Sequence, residues 1–184
     1  EYLDYDIDFR KDGIYEDENI LGGLLISDKK VEINENLEGQ EGRMSFTAAH
    51  ETGHIVLHVP YYLEQEKIGQ KGKSEIICRK DEGFEGNKKA PEEWQADKFA
   101  AYLLMPTAMV KKVFFQTQKR SVNVRRKSLL GIIFPKSPIR KAYQLAENVI
   151  QAGNFSNVSK MAMLNRLIGL RLVRGLSFQK SKIK

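Results

Sequence analysis

The amino-acid sequence predicts an α+β fold, and three observations carry the prediction. Short alternating or continuous apolar stretches crowd the first 34 residues; two segments of helical periodicity follow near residues 43–59 and 90–106; and helical periodicity returns in a strongly basic stretch that ends the chain. Strands first and helices afterwards is the order of an α+β fold, whereas regular alternation would point to a parallel α/β sheet. A length of 184 residues fits one domain with a small appendage, enough to bury a core without disulfide staples.

Residues 1 to 19 are acidic, and Tyr2, Tyr5, Ile7 and Phe9 stand among Asp4, Asp6 and Asp8 in near alternation. A period of two predicts a strand with one wet face. Ile20-Leu21-Gly22-Gly23-Leu24-Leu25-Ile26, the polar Ser27-Asp28-Lys29-Lys30, and Val31-Glu32-Ile33-Asn34 then read as a β-hairpin. Gly22-Gly23 lacks the further glycines, the lysine and the helix start of a phosphate loop. A helix follows, capped by Ser45 or Thr47 and stopped by Pro60, with Phe46, Ala49, Gly53, Val56 and Leu57 as its buried face. Gly53 costs that helix about 1 kcal/mol relative to alanine, which is easiest to accept where a neighbour must pass close.

Residues 60 to 90 are rich in Lys, Glu and Gly around an apolar island at Ile76-Ile77-Cys78. They read as an exposed loop, of lid or binding type or unstructured, with one short strand-like piece. Cys78 is close enough in sequence to invite a metal or redox role, but a lone cysteine in such an island is more often inert packing. From Ala90 to Pro106 a second helix is delimited by Pro91 in its first turn and Pro106 at its end, with Ala96, Phe99, Ala100, Leu103 and Leu104 as an apolar flank. Residues 107 to 118 form a helix, and Lys119 to Pro138 a basic connector containing Leu129-Leu130-Gly131-Ile132-Ile133-Phe134. Two more helices run from Ile139 to Gln151 and from Val158 to Arg174, with Gly153-Asn154 and Ser156-Asn157 supplying the stop and caps between them. Met161, Leu164, Leu167, Ile168 and Leu172 make a stripe suited to core or docking.

The chemistry sits at His50-Glu51-Thr52-Gly53-His54, an H-E-x-x-H pattern. Residues four apart lie about 40° from each other around a helix, so His50 and His54 can aim ring nitrogens at one ion while Glu51 stands off the metal, facing a bound water. Neutral imidazoles suit Zn²⁺, which lowers the pKa of such a water from about 16 to about 7. A surface helix that happens to carry these three residues is the plain alternative. A zinc site needs a third ligand, and Glu93 and Asp97 share a face of the second helix: Glu93 to ligate, Asp97 to accept the spare N–H of a ligating imidazole. His58, a further turn along, reads as a supporting or core residue, about 6 Å beyond the metal. All three histidines lie in this one segment, so the tetrahedral oxyanion must be met by a tyrosine (Tyr61, Tyr62, Tyr102 or Tyr143), an arginine, a backbone N–H or the metal itself.

Arg43-Met-Ser-Phe-Thr-Ala-Ala-His-Glu-Thr-Gly-His-Ile-Val-Leu-His58 followed by Glu93-Trp-Gln-Ala-Asp-Lys-Phe-Ala-Ala-Tyr-Leu-Leu-Met-Pro106 resembles the two motif blocks of the ImmA/IrrE family of zinc metallopeptidases. The resemblance implies a zincin-like (gluzincin-like) fold: a small N-terminal sheet, the H-E-x-x-H helix, a second ligand-bearing helix and a helical C-terminal region. It implies zinc held by His50, His54 and Glu93, with Glu51 as the catalytic residue. Asp97 matches the Asn or Asp usual at its position. It also implies a substrate, because members include anti-repressors of mobile elements and regulators of the DNA-damage response that cleave helix-turn-helix repressors. Zincin-type peptidases align substrate as an added strand on a sheet edge, and the hairpin before the metal helix offers Ile33 and Asn34 as candidate substrate-binding residues.

Charge divides the chain unevenly. Residues 1 to 110 carry 13 Lys and Arg against 23 Asp and Glu, whereas residues 111 to 184 carry 17 against the single Glu147. The basic segment suits self-complementation, an acidic protein partner or nucleic acid; with few interleaved aromatics, direct nucleic-acid binding is not favoured. One cysteine and the lack of an apolar run of membrane-spanning length predict a cytoplasmic protein. The first residue is Glu rather than Met, so the chain reads as trimmed and compatible with an upstream domain. The expected division is a metallopeptidase core over residues 1–118 and a basic helical region over residues 119–184. The rival reading is a non-catalytic zinc-binding module that binds DNA or a repressor, against which Glu51 stands, since a structural site has no use for it.

Overall fold

The computed structural model describes residues 4–11, 17, 19–37, 39–70, 72–79, 90–125 and 137–176. The chain is mixed α+β and divides into two compact units, residues 1–104 and 105–184. The boundary falls between Leu104 and Met105, before the helix Thr107–Thr117. Tyr2 and the Leu129–Phe134 segment lie outside the described residues, as do residues 80–89 of the expected loop.

The first unit contains a four-stranded sheet of order β1-β3-β2-β4, with β1 Asp6–Arg10, β2 Ile20–Leu25, β3 Lys30–Asn34 and β4 Glu75–Arg79. β2 and β3 form the expected hairpin, β1 runs parallel to β3, and β4 pairs antiparallel with β2. The hairpin is therefore the middle of the sheet. Ile33 and Asn34 face β1 on one side, as partners of Phe9 and Arg10, and Ile33 faces Gly22 on the other. Both are buried, with the Asn34 amide donating to the Ile20 carbonyl at 2.9 Å. This corrects the expectation that they offer a substrate-binding edge, because interior strands have their ladder groups already engaged.

Helix α1, Glu41–Leu57, starts before Ser45 and Thr47 could cap it, with Gln40 at the N-cap, and it packs on β2 and β3. Its buried face is Thr47, Ala49, His50, Glu51, Gly53, His54 and Ile55, while Val56 and Leu57 are exposed. Because the helix covers the central strands, the apolar face of the edge strand is left to solvent: Ile7 is 57% and Phe9 49% exposed. Pro60 does not end in a loop. It lies in the first turn of α2, Val59–Lys67, where a missing N–H costs nothing. Ile55, Val59 and Tyr62 join Leu24, Val31, Ile33 and Ile76 in the core of this unit. Helix α3, Pro91–Leu104, lies against α1.

The second unit holds α4 (Thr107–Thr117), α5 (Pro138–Gly153), α6 (Lys160–Gly169) and a two-stranded parallel pair, β5 (Val122–Asn123) with β6 (Val173–Arg174). Ser137 caps α5 by accepting from the Arg140 N–H, Asn154 ends it in the left-handed region at φ 51°, and Ser159 caps α6. The last helix is shorter than the Val158–Arg174 expected, since Arg171 takes φ 58° and turns the chain into β6. Val110, Phe114, Ala146, Met163, Leu164 and Leu167 are buried here. Arg166 donates to the Met105 carbonyl at 3.1 Å and to the Thr107 hydroxyl at 2.8 Å, tying the start of α4 to α6. No helix among the described residues is long and apolar enough to cross a membrane.

Candidate metal centre

The four-residue spacing along α1 brings His50, His54 and His58 into one line, with α3 running alongside. Gly53 permits that approach: a Cβ there would stand 3.1 Å from both the Ala96 Cα and the Phe99 Cβ. The expectation that glycine marks a close neighbour holds, and the neighbour is the helix that carries Glu93.

His50 Nε2 and His54 Nε2 are 3.1 Å apart, His50 Nε2 is 3.1 Å from Glu93 Oε2, and His54 Nε2 is 3.2 Å from Glu93 Oε1. Two imidazoles and one carboxylate thus converge in a buried pocket, a group that can hold a metal ion. The triangle fits a tetrahedral ion with bonds of about 2.0–2.1 Å, whose ligands lie about 3.3 Å from one another. Each imidazole is held from behind. His50 Nδ1 is 3.0 Å from Asp97 Oδ1; His54 Nδ1 is 3.0 Å from His58 Nδ1, whose Nε2 is 2.9 Å from Gln95 Oε1. With both Nε2 lone pairs turned inward, the tautomers follow: His50 Nδ1–H donates to Asp97, His54 Nδ1–H donates to His58, and His58 Nε2–H donates to Gln95.

Glu51 stands apart from this network. It is 0% exposed, and neither carboxylate oxygen has a hydrogen-bond partner among the described residues. Burial lifts its carboxyl to about 8, with the Glu93 charge adding to the rise and His50 opposing it. Burial would lower His50, but hydrogen bonds to Asp97 and Glu93 outweigh it and raise the imidazole to about 9. Burial dominates at His54 and lowers it. At Glu93 burial acts upward and is overcome by the two histidines, which hold the carboxyl well below its usual range. An ion entering the group takes the place of protons.

Two neighbours were not legible in the sequence. Gln95 has no spacing that pairs it with His58. Cys78 packs against the sheet core as expected, yet a ligand atom from each of Cys78, His50 and Glu51 also lies within 4.8 Å of the others. Among the tyrosines considered for the oxyanion, Tyr61 and Tyr102 are exposed, and Tyr62 is buried beneath the Lys73 ammonium, 5.2 Å from its ring centroid. Tyr143 lies in the second unit, its hydroxyl 3.5 Å from Met161 Sδ.

The model of the IrrE N-terminal-like domain, Peptidase_M78, matches residues 22–167, from the first glycine of β2 into α6. No match was found among curated proteins. A family match over most of the chain, enclosing the whole His50–His54–Glu93 group, makes this protein a member of the ImmA/IrrE family, with an IrrE N-terminal-like peptidase domain.

Proposed function

We propose that the chain is a zinc-dependent endopeptidase of zincin-like fold, acting in the cytoplasm, that cuts a helix-turn-helix transcriptional repressor at few sites. The observation that carries the enzymatic part is Glu51: a carboxylate buried without a hydrogen-bond partner among the described residues, beside three convergent ligand atoms, is costly unless something is meant to reach it. Family membership supports a peptidase, and two imidazoles with one carboxylate are a donor set of catalytic zinc. The repressor substrate rests on the resemblance set out above.

When bound, zinc supplies a Lewis acid for the peptide carbonyl and lowers the pKa of the attacking water. His50 and His54 offer neutral ring nitrogens, oriented by Asp97 and His58. Glu51 accepts the water's proton on its carboxylate and returns it to the amide nitrogen as the C–N bond breaks. Extended substrate is read as pairing with the outer side of β4, an edge strand that carries Cys78 next to His50 and Glu51.

The test is incubation of zinc-loaded protein with purified helix-turn-helix repressors from the same genome. Wild type should cut the repressor at one or a few bonds, while Glu51→Gln keeps its zinc and loses cleavage. Undiminished cleavage by that variant would sink the mechanism. An intact repressor together with ready hydrolysis of unrelated short peptides would replace the proposed substrate by a general peptidase role.

A further inference from the structure

We propose that Cys78, Glu51 and His50 form a second, sulfur-containing set for a soft divalent cation, overlapping the His50–His54–Glu93 set and excluding its use. One ligand atom from each of the three residues lies within 4.8 Å of the others, with His50 and Glu51 buried and Cys78 half-buried. The cysteine does not stand alone in pointing to a ligand. Both oxygens of Glu51 are buried without a hydrogen-bond partner among the described residues, so a cation arriving between the thiol and the carboxylate satisfies a group otherwise left unsatisfied there.

The fold opens that space through a glycine. Cys78 on β4 is the register partner of Gly22 on β2, and a Cβ at Gly22 would meet Thr47 Cγ2 at 2.6 Å and Glu51 Oε1 at 3.1 Å. Gly22 therefore lets α1 and the Glu51 carboxylate sit down on the sheet beside the strand pair that carries Cys78. A larger residue there would push the carboxylate away.

The two sets differ in donor chemistry and in fit. The first has nitrogen and oxygen donors spaced 3.1–3.2 Å apart, already close to tetrahedral ligand separations. The second adds a thiolate, which selects soft ions, and its spread of up to 4.8 Å must close by about 1 Å to wrap an ion with a metal–sulfur bond of about 2.3 Å. Zinc at low occupancy thus prefers the first set, and a more thiophilic ion such as Cd²⁺ is drawn to the second, displacing the Cys78 thiol proton to solvent. Because His50 belongs to both, an ion in the second set removes one ligand from the first and occupies Glu51. On the reading of Glu51 given under the proposed function, such an ion inhibits the enzyme; the binding itself does not depend on that reading.

Cadmium titration into the metal-free chain tests the site by absorbance. The chain has a single cysteine and the first set has no sulfur, so a thiolate-to-cadmium charge-transfer band reports Cys78 alone. The band should saturate near one equivalent in wild type, vanish in Cys78→Ser, and require at least about tenfold more cadmium in Glu51→Gln, the loss expected for removal of a charged ligand. No band in wild type at stoichiometric cadmium overturns the site. An unshifted midpoint in Glu51→Gln also overturns it, leaving a lone reactive thiol. Neither result bears on whether Glu51→Gln still cleaves a repressor, so the two readings fail separately.

Discussion

Replacing His58 by alanine isolates the contribution of a residue that touches no metal. His58 is 7% exposed and both its ring nitrogens are engaged, at 3.0 Å to His54 Nδ1 and 2.9 Å to Gln95 Oε1. Its removal strands the His54 Nδ1–H in a pocket where His54 is 0% exposed, and an unsatisfied buried donor costs about 1–3 kcal/mol. Loss of an outer hydrogen-bond partner behind a metal-binding imidazole typically lowers metal affinity about 10–100-fold, or about 1.4–2.7 kcal/mol. The two routes agree in size, so His58→Ala should weaken zinc binding by one to two orders of magnitude. Gln95 is exposed, so water can replace it, and Gln95→Ala should cost less than about fivefold. His58→Gln, which can still accept from His54 Nδ1, should recover part of the loss. Competition against a chromophoric chelator gives the affinities, and the nitrogen shifts of His54 in the zinc-loaded protein report the Nδ1–H tautomer. Zinc affinity within about twofold of wild type in His58→Ala, with His54 still in that tautomer, would refute the orienting role.

Three further outcomes are expected. In the metal-free protein His50 is raised from 6.5 to about 9 and Glu51 from 4.5 to about 8, so the folded chain binds more protons than the unfolded one between pH 6.5 and 9. Stability should therefore fall as pH rises through that window, whereas stabilisation by zinc, which replaces the His50 proton, should grow; equal pH slopes of Tm with and without zinc would count against this. Gly22→Ala forces a methyl to 2.6 Å from Thr47 Cγ2 and should cost about 1–3 kcal/mol in denaturant unfolding, partly restored by Thr47→Ser, which deletes that methyl; no restoration would place the strain elsewhere. With 17 basic residues against one acidic over residues 111–184, binding to duplex DNA should be weak, indifferent to sequence and steeply weakened by salt. Sequence-specific binding that survives about 200 mM salt would instead support a DNA-directed role.

Local chemistry was legible and long-range pairing was not. The β2–β3 hairpin could be read because its alternation and its polar turn lie within a few residues of each other, and α3 because prolines mark both its ends. Pro60 is ambiguous for the opposite reason: the same missing N–H that ends one helix is harmless in the first turn of the next, so the proline alone does not distinguish α2 from a loop. The stripe ending at Leu172 extended the last helix too far because Leu172 and Val173 are buried outside α6, and burial alone does not distinguish a helix from the turn and strand that follow it. The sheet order is a question of which strands meet, and an edge was assigned to β3 that belongs to β1 and β4.

The same division runs through the site. His50, His54, Glu93 and Asp97 could be picked out because few side chains can ligate a metal or orient an imidazole, and helical spacing of four fixes which of them share a face. Gln95 and Gly22 had no such restriction on type, and Cys78, a possible ligand by type, has no helical spacing that joins it to His50. Gln95 matters through its partner His58 on another helix, Cys78 through a strand register that brings it opposite Gly22, and Gly22 through the side chain it lacks. A ligand must be one of a handful of residues, so its identity advertises its task; a residue that orients or makes room is defined by what stands next to it. In this protein that second class decides how tightly the metal is held and what else can reach Glu51, which is why substitutions at His58 and Gly22 separate the mechanisms better than removal of the ligands themselves.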